Sequence, residues 1–596
     1  MAALVKKSSN QDAQVILGIN SAYHESAAAI AIDGCVVAAV EEERFSGCKH
    51  GKPLRVDNAH HLPLEAINYC LNEADVTWQD LDAVAYSLDP ALRQRQACIG
   101  FDGRYDNFGH PLGESLFQRS LARVPRMLRG HTEAKLHFVP HHVCHAWYAL
   151  GTSPYDDAAV LVMDGIGEGA SVSLGQGNRR QIQIKHQTLF PHSIGLVWEK
   201  VACFLGLTEY DACKVMALAG LASAPHSDTL MNHIRWSQEG LIVNQRIFDL
   251  EHPEDWTGLE QWFGCKRESA AQDTAIRSRI AAALQHATEE VLLEIAGDIH
   301  EQTGEQALVY AGGVALNCRA NAELAARGPF TQIHIGPAAH DAGTAAGAAW
   351  HVYTRTTRLP VPAHTSAQVV GSGPIPGAAY FAYAKDWKYQ HTSDSFTPVV
   401  RWLIEGEAIG WLDGRCEFGP RALGRRSLLA SPIHRDVVER VNQIKGRHWF
   451  EPLALAVPLE RADELFDIPD AGRELTPYML ITVRPRPAWR ERLVHLLHAD
   501  GTVRLQTVSC EDHPRFHALL LEVDRLTDVP LLINTSFNPR GRPMPATIEQ
   551  ALPLADELGF RHIVIDGECW SKTGQTIGIH TVTANPEQQP ELVLPG

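Results

Sequence analysis

The sequence has no run of the roughly 18 uncharged, mainly apolar residues that a membrane-spanning helix requires. No apolar h-region follows Lys6 and Lys7 in the polar stretch Met1 to Asn10, so residues 1–13 read as a frayed terminus and neither a membrane nor an export route is expected. Twelve cysteines are scattered with no C-x-x-C spacing, which excludes a zinc ribbon or a dithiol motif. Their scatter fits a reduced, cytoplasmic setting. Positive charge is also scarce: 53 Lys and Arg against 70 Asp and Glu give a formal net charge of −17. Such a chain repels phosphodiester backbones unless a local basic face overrides it, so nucleic acid is a poor partner.

What is present is the ordinary balance of a packed protein, 45% hydrophobic and 21% charged, in 596 residues, long enough for at least two domains. Val15 to Asn20 and Ala27 to Ile32 read as buried strands separated by a polar turn holding His24, and Asp33-Gly34 as a hairpin turn into Val36 to Val40. The order returns at Ala158 to Met163, Asp164-Gly165, Ala170 to Leu174, then Gln176-Gly177-Asn178 before Gln181 to Lys185. Two related halves are predicted, with ligands between them, because polar turns between buried strands must be exposed somewhere. From Arg355 to Ala378 the chain turns rich in Pro, Gly, Thr and Ser. The expected division is 1–13, 14–362 and 363–596; the alternative is a proline-rich loop inside one domain.

His141 and His145 stand four apart on a helix opened by Pro140 and closed near Gly151, so their imidazoles share a face on which one divalent ion can be held, while His142 turns away. Asp164 ends a buried strand, and Asp341 opens a helix from Ala342 to Tyr353. Taken alone, the histidines also suit a core pair, and the aspartates a turn former and an N-cap. Val309 to Asn317 reads as strand, glycine turn and helix start, where Gly312 and Gly313 let the backbone approach a phosphate or purine.

In the second domain, Trp411 to Ser427 puts a cluster of arginines after a Gly-Pro turn, with Arg421 and Arg425 expected one helical turn apart. Lys445, Arg447 and Arg504 follow, then a strand from Val529 to Ile533 that ends in Asn534-Thr535-Ser536-Phe537-Asn538. Donors of this kind grip phosphate oxygens, and in an acidic protein they suit a small phosphorylated ligand. Arg426, Arg435 and Arg440 read instead as a solvated face.

Gly18-Ile19-Asn20 with His24, Glu41-Glu42-Glu43-Arg44-Phe45, His141-His142-x-x-His145-Ala146, Asp164-Gly165, Gly312 to Asn317, Glu417 to Ser427 and Asn534 to Asn538 occur in the order found in the carbamoyltransferases of antibiotic and nodulation-factor biosynthesis, which the chain resembles over nearly its whole length. The resemblance implies an α/β protein with a duplicated actin-like N-terminal domain, shared with the tRNA threonylcarbamoyl transferases, and a YrdC-like C-terminal domain, as in the threonylcarbamoyl-adenylate synthases. It implies Fe²⁺ on His141, His145, Asp164 and Asp341, where ligand chemistry alone allows iron, zinc or manganese. His24 and Lys49 would face the carbamoyl group, with His24 orienting or deprotonating the acceptor; Gly312, Gly313 and Asn317 would meet a nucleotide. Arg421, Lys445, Arg447, Asn534, Ser536 and, at lower rank, Arg504 would bind carbamoyl phosphate and ATP, with Mg²⁺ as an optional companion.

Two departures stand out: Ala217 replaces a glycine in the run after Lys214, and Glu451 replaces an arginine before Pro452. The implied activity is transfer of a carbamoyl group, activated as carbamoyl adenylate, to a small-molecule hydroxyl. The acceptor pocket is not legible; Trp256 and Trp262 suit either that pocket or the core. Homodimers are frequent among the relatives, and nothing in the sequence marks an interface. The rivals are a tRNA threonylcarbamoyl-type transferase, which needs an RNA face, and a non-catalytic actin-like nucleotide-binding scaffold, which would not need Arg421.

Overall fold

In a computed structural model the described residues are 13–96, 108, 110–222, 230–363, 386–390, 396–451 and 453–572. The N-terminal stretch and Gly371-Ser372-Gly373-Pro374 lie outside them. Strands β1 (Val15–Asn20), β2 (Ala27–Ile32), β3 (Cys35–Glu41), β4 (Ala83–Tyr86) and β5 (Lys135–Phe138) form one sheet in the order β3-β2-β1-β4-β5. The first three are antiparallel neighbours, and β4 and β5 join parallel. The hairpin turn is where the sequence places it: Asp33 and Gly34 both have left-handed backbone, at φ 49° and 79°.

Helix α1 (His141–Thr152) leads into β6 (Asp157–Met163), β7 (Ala170–Asn178) and β8 (Gln181–Leu189). The strand β7 runs to Asn178 and the turn comes after it, because the Asn178 side chain accepts from the backbone amides of Arg180 (3.0 Å) and Gln181 (3.1 Å). Helices α2 (Ile194–Phe204) and α3 (Ala212–Ala219), a hairpin of β9 (Ile234–Ser237) and β10 (Gly240–Val243), and the long α4 (Thr274–Thr303) precede β11 (Ala307–Ala311), α5 (Cys318–Arg327), β12 (Gln332–His334) and α6 (Thr344–Thr357). The second sheet has the order β8-β7-β6-β11-β12, with two antiparallel contacts followed by two parallel ones. Strand for strand this repeats the first sheet. The duplicated α/β architecture is therefore present in the topology itself.

The halves meet through two helices. Against the first sheet lies α6, and α1 crosses it at a distance no side chain would permit: a Cβ on Gly347 would stand 1.8 Å from the Cys144 carbonyl oxygen. That approach brings the start of α1 and the turn leading into α6 to the same depth between the sheets, buried beneath Trp147, Tyr148 and Trp350.

A second α/β unit carries ten strands: β13 (Trp387–Gln390), β14 (Ile409–Leu412), β15 (Arg426–Ala430), β16 (Ala454–Pro458), β17 (Phe466–Asp467), β18 (Thr482–Pro485), β19 (Val503–Val508), β20 (Leu532–Ser536), β21 (His562–Ile565) and β22 (Glu568–Lys572). They form one sheet in the order β13-β22-β21-β14-β15-β20-β16-β19-β18-β17, with helix α7 (Val437–Lys445) carrying Lys445 at its end. The expected strand from Val529 is displaced. Pro530 lacks the amide a central strand must donate, so pairing begins at Leu532 and takes in Asn534, Thr535 and Ser536. Part of the proposed linker belongs to the first unit: Val361 is buried and its amide donates to the Arg179 carbonyl at 2.7 Å. Among the described residues no helix is long and apolar enough to cross a membrane.

If the α1–α6 contact sets the spacing of the halves, Gly347→Ala should lower the urea midpoint by the equivalent of about 1–3 kcal/mol, the usual cost of overpacking a rigid contact. A Cβ on Gly297, within α4, meets nothing within 4 Å. Gly297→Ala should leave the midpoint unchanged or raise it.

Candidate metal centre and anion site

Pro140 starts α1, and the Glu168 carboxylate accepts from the backbone amides of His141 (2.9 Å) and Asp89 (2.8 Å), placing negative charge at the helix N-terminus. One turn apart on that helix, His141 and His145 are fully buried with their Nε2 atoms 3.2 Å apart. The His141 Nδ1 lies 2.9 Å from the Ser87 carbonyl oxygen, which can only accept, so Nδ1 carries the proton and Nε2 presents a lone pair. Asp164, at the end of β6, brings Oδ2 to 3.7 and 3.8 Å from the two Nε2 atoms, and Asp341 brings Oδ1 to 3.4 and 3.5 Å.

One ligand atom from each of the four residues lies within 4.8 Å of every other. Edges of about 3 to 3.5 Å are those of a coordination sphere of roughly 2.1 Å radius, so the donor set fits a divalent transition metal. The electrostatics agree. Burial works against a charged His141, yet Asp341 and Asp164 hold its pKa well above the ordinary value; burial likewise opposes ionisation of Asp341, yet the His141 ring keeps its carboxyl well below the ordinary range. Positive charge is wanted at this point. Asp341 makes no N-cap bond, whereas Asp164 does double duty, accepting from the Gly313 amide at 2.8 Å. His142 points elsewhere, to the Ser173 hydroxyl at 2.8 Å, and burial pushes its pKa down to about 3.

The first half supplies the facing wall. His24 sets Nδ1 3.6 Å from the other Asp341 oxygen; burial disfavours its charge, but the Asp341 carboxylate outweighs that and raises its pKa to about 9. Lys49 reaches both oxygens of Glu43, at 3.0 and 2.9 Å. Four neighbours escaped the sequence reading. Glu25 and His50 pair at 2.5 Å, and Tyr210 stacks on the His50 ring at 4.4 Å. Glu199, from α2, has its pKa raised to about 7 by burial, partly offset by His24 and reinforced by Asp164. Glu25 adjoins His24 and could have been found from that adjacency; Tyr210 and Glu199 arrive only through the fold.

Gly312 and Gly313 line the opposite side. At φ 101° a Cβ on Gly312 would stand 2.0 Å from the Met163 carbonyl oxygen, so this glycine admits the end of β6 and delivers Asp164. Asn317 caps α5 through the Ala320 amide (3.1 Å) and pairs with Gln285. Trp256 and Trp262 both pack partly buried against the core, and Arg267 lies over the Trp256 ring.

In the second unit the segment from Asp413 to Arg425 is a series of bends, not the helix expected around Arg421 and Arg425, because Gly419 (φ 126°) and Gly424 (φ 91°) take left-handed backbone. Arg425 turns inward to Asp413 at 2.9 Å. Arg426, read as solvated, is fully buried and donates to the backbone carbonyls of Arg425, Gly414 and Ala546; Arg435 and Arg440 are exposed as expected. Arg421, Arg447 and Arg504 share one region: burial and the neighbouring Arg421 depress the Arg504 pKa to about 9. Among the described residues, the buried Nε atoms of Arg421 and Arg504 make no hydrogen bond. Lys445 donates to the Ser536 carbonyl and hydroxyl and to Asn538, while Asn534 lies fully buried beneath, bonded to Gln506 at 2.6 Å. Glu451 curls back, 3.8 Å from Arg447.

The two sites are joined. Glu41 and Arg44 form a buried ion pair in the first half, and between them they hold one residue of the second unit: the Gly419 amide donates to Glu41 (2.9 Å) and its carbonyl accepts from Arg44 (3.1 Å). A Cβ on Gly419 would stand 2.5 Å from the Pro337 carbonyl oxygen, four residues before Asp341.

Comparison with known proteins places the chain in a family. A family model described as Carbamoyltransferase N-terminus matches residues 15–350, and one described as Carbamoyltransferase C-terminus matches 400–572. Nodulation protein NolNO of Sinorhizobium fredii is 33% identical over 96% of this chain and 82% of its own length, and NolO of Bradyrhizobium diazoefficiens 32% identical over 69% and 75%. Among solved structures, full-length HypF in a phosphate- and nucleotide-bound form is 13% identical over 57% of this chain and 55% of that chain, at a TM-score of 0.31.

Asp341→Ala should abolish retention of a divalent metal through gel filtration, measured as metal per chain by mass spectrometry. Glu168→Gln should keep the metal but lower the thermal midpoint, because it removes a charge-assisted contact with the helix start worth about 1–2 kcal/mol.

Proposed function

The chain belongs to the carbamoyltransferase family, and from that premise we propose that it converts carbamoyl phosphate and ATP to carbamoyl adenylate and transfers the carbamoyl group to a hydroxyl of a small-molecule natural product. The observation that supports this reading is the pairing of two unlike polar centres, one of carboxylates and imidazoles between the halves and one of half-buried, clustered arginines in the second unit. Residues 14–362 are assigned to transfer and 363–596 to activation.

Carbamate is a poor electrophile, because nitrogen and oxygen already feed electron density to its carbon. In the activation step carbamoyl phosphate and water give carbamate and phosphate; a carbamate oxygen then attacks the α-phosphorus of ATP and pyrophosphate leaves. Arg421, Arg447 and Arg504 hold the phosphate oxygens, their mutual repulsion being relieved by an anion between them. Lys445 fixes Ser536 at the rim of the site, and Asn534 supports the loop from below by reaching the Ala422 carbonyl. Mg²⁺ with ATP is compatible with the same site.

Transfer takes place between the halves. His141, His145, Asp164 and Asp341 would hold the ion, which we assign as Fe²⁺ and which when bound supplies Lewis-acid polarisation of a carbonyl or phosphate oxygen. Lys49 stabilises charge on the carbamoyl oxygen, and His24, tied to Asp341, positions the acceptor hydroxyl. Gly312, Gly313 and Asn317 border the nucleotide. The adenylate passes from one centre to the other within the protein, shielded from bulk water. The net charge of −17 favours a small acceptor over RNA, and a cytoplasmic setting supplies both ATP and carbamoyl phosphate.

With ATP labelled at the α-phosphate, the products should be AMP and pyrophosphate together with a carbamate ester; formation of ADP would exclude the scheme. Arg421→Ala should lower AMP formation by about a hundredfold while metal content stays unchanged. Asp341→Asn should do the reverse, sparing the first pyrophosphate burst and abolishing ester formation.

A further inference from the structure

Two residues other than glycine take left-handed backbone in the wall beside His24: Glu25 at φ 49° and His50 at φ 65°. Such backbone is unfavourable for a residue with a side chain and persists only where the surroundings fix it. Here the two strained residues make one contact, Glu25 Oε1 lying 2.5 Å from His50 Nδ1. A carboxylate accepts, so Nδ1 carries the proton and Nε2 has its lone pair free.

The His50 ring is held from several sides. Its backbone amide donates to Glu43 Oε2 at 2.8 Å, its carbonyl accepts from the Ser26 amide at 3.3 Å, and its face stacks on Tyr210. The His24 ring is 6.0 Å away, and the His50 side chain is 20% exposed. Among the described residues Nε2 has no hydrogen-bond partner. A carboxylate on one ring nitrogen and an open lone pair on the other make the arrangement that activates hydroxyl nucleophiles.

We propose that His50, oriented by Glu25, is the general base that takes the proton from the acceptor hydroxyl during carbamoyl transfer. The inference rests on the proposed function. The acceptor O–H bond breaks and its proton passes to His50 Nε2; the oxygen bonds to the carbamoyl carbon, and the bond from that carbon to the phosphate oxygen breaks to release AMP. His24 is less suited to the role: its Nδ1 stands 3.6 Å from Asp341 and makes no hydrogen bond among the described residues, so nothing fixes its tautomer as Glu25 fixes that of His50. Glu25, Glu43 and His50 also lie close enough together to hold a cation, but the Lys49 ammonium already occupies both Glu43 oxygens.

The test uses the full-length, metal-loaded protein and its His50→Gln variant, with carbamoyl phosphate and ATP. Two kinds of nucleophile are compared: hydroxyl probes (glycerol, glucose and water) that must lose a proton as they attack, and hydroxylamine, whose nitrogen is already unprotonated at neutral pH. His50→Gln should lose about a hundredfold or more in ester formation and in AMP release to water, the usual contribution of a general base. Hydroxyurea formation and the pyrophosphate burst should stay within a few-fold of the parent. Imidazole should restore transfer in His50→Ala, and Glu25→Gln should lower kcat for the hydroxyl probes while sparing hydroxylamine. Equal losses with both nucleophiles would mean a structural role, and undiminished transfer to the hydroxyl probes would also overturn the inference. Failure of the parent protein to form AMP and pyrophosphate would refute the proposed function itself, and the inference with it.

Discussion

The spacing of α1 and α6 governs the first domain. Because Gly347 has no side chain, the helices touch backbone to backbone, and the two histidines on one helix meet the aspartate preceding the other at ligating distance. A single methyl group inserted there would separate groups whose chemistry depends on fractions of an ångström.

The duplication was legible because strand order and polar turns repeat in the chain: β1 and β2 lie where the hydrophobic runs put them, and the second copy follows the same pattern. The four candidate ligands were legible for a related reason, since each has a local signature, either a helical spacing or a place at a strand end. Glu199 and Tyr210 carry no such signature. They reach the site by the packing of α2 and the segment after it, which sequence spacing does not encode. Arg426 misled because a run of arginines usually faces water, whereas here backbone carbonyls satisfy its guanidinium in the interior. The Val529 strand misled for want of weight on one missing amide.

Glu41 and Arg44 link the centres by a different physics. A buried ion pair is a weak source of stability, because desolvation cancels much of its attraction, but it is a stringent positioning device. The pair also bonds both polar groups of a single peptide residue, Gly419, so the loop carrying Arg421 cannot shift without leaving buried hydrogen-bonding groups unpaired. The order along the chain, a clamp at residues 41–44 and its object at 419, gives no local hint of this.

Phe418 belongs to the second unit by sequence yet is buried among Trp147, Tyr148 and Trp350 of the first, its ring 6.5 Å from that of Tyr148. As the chain leaves the ribosome, the earlier domain is finished with an aromatic socket still open, and only synthesis some sixty residues further on delivers the plug. Maturation of the nascent protein thus has a built-in order, in which the later segment both closes its predecessor's interior and becomes anchored by doing so.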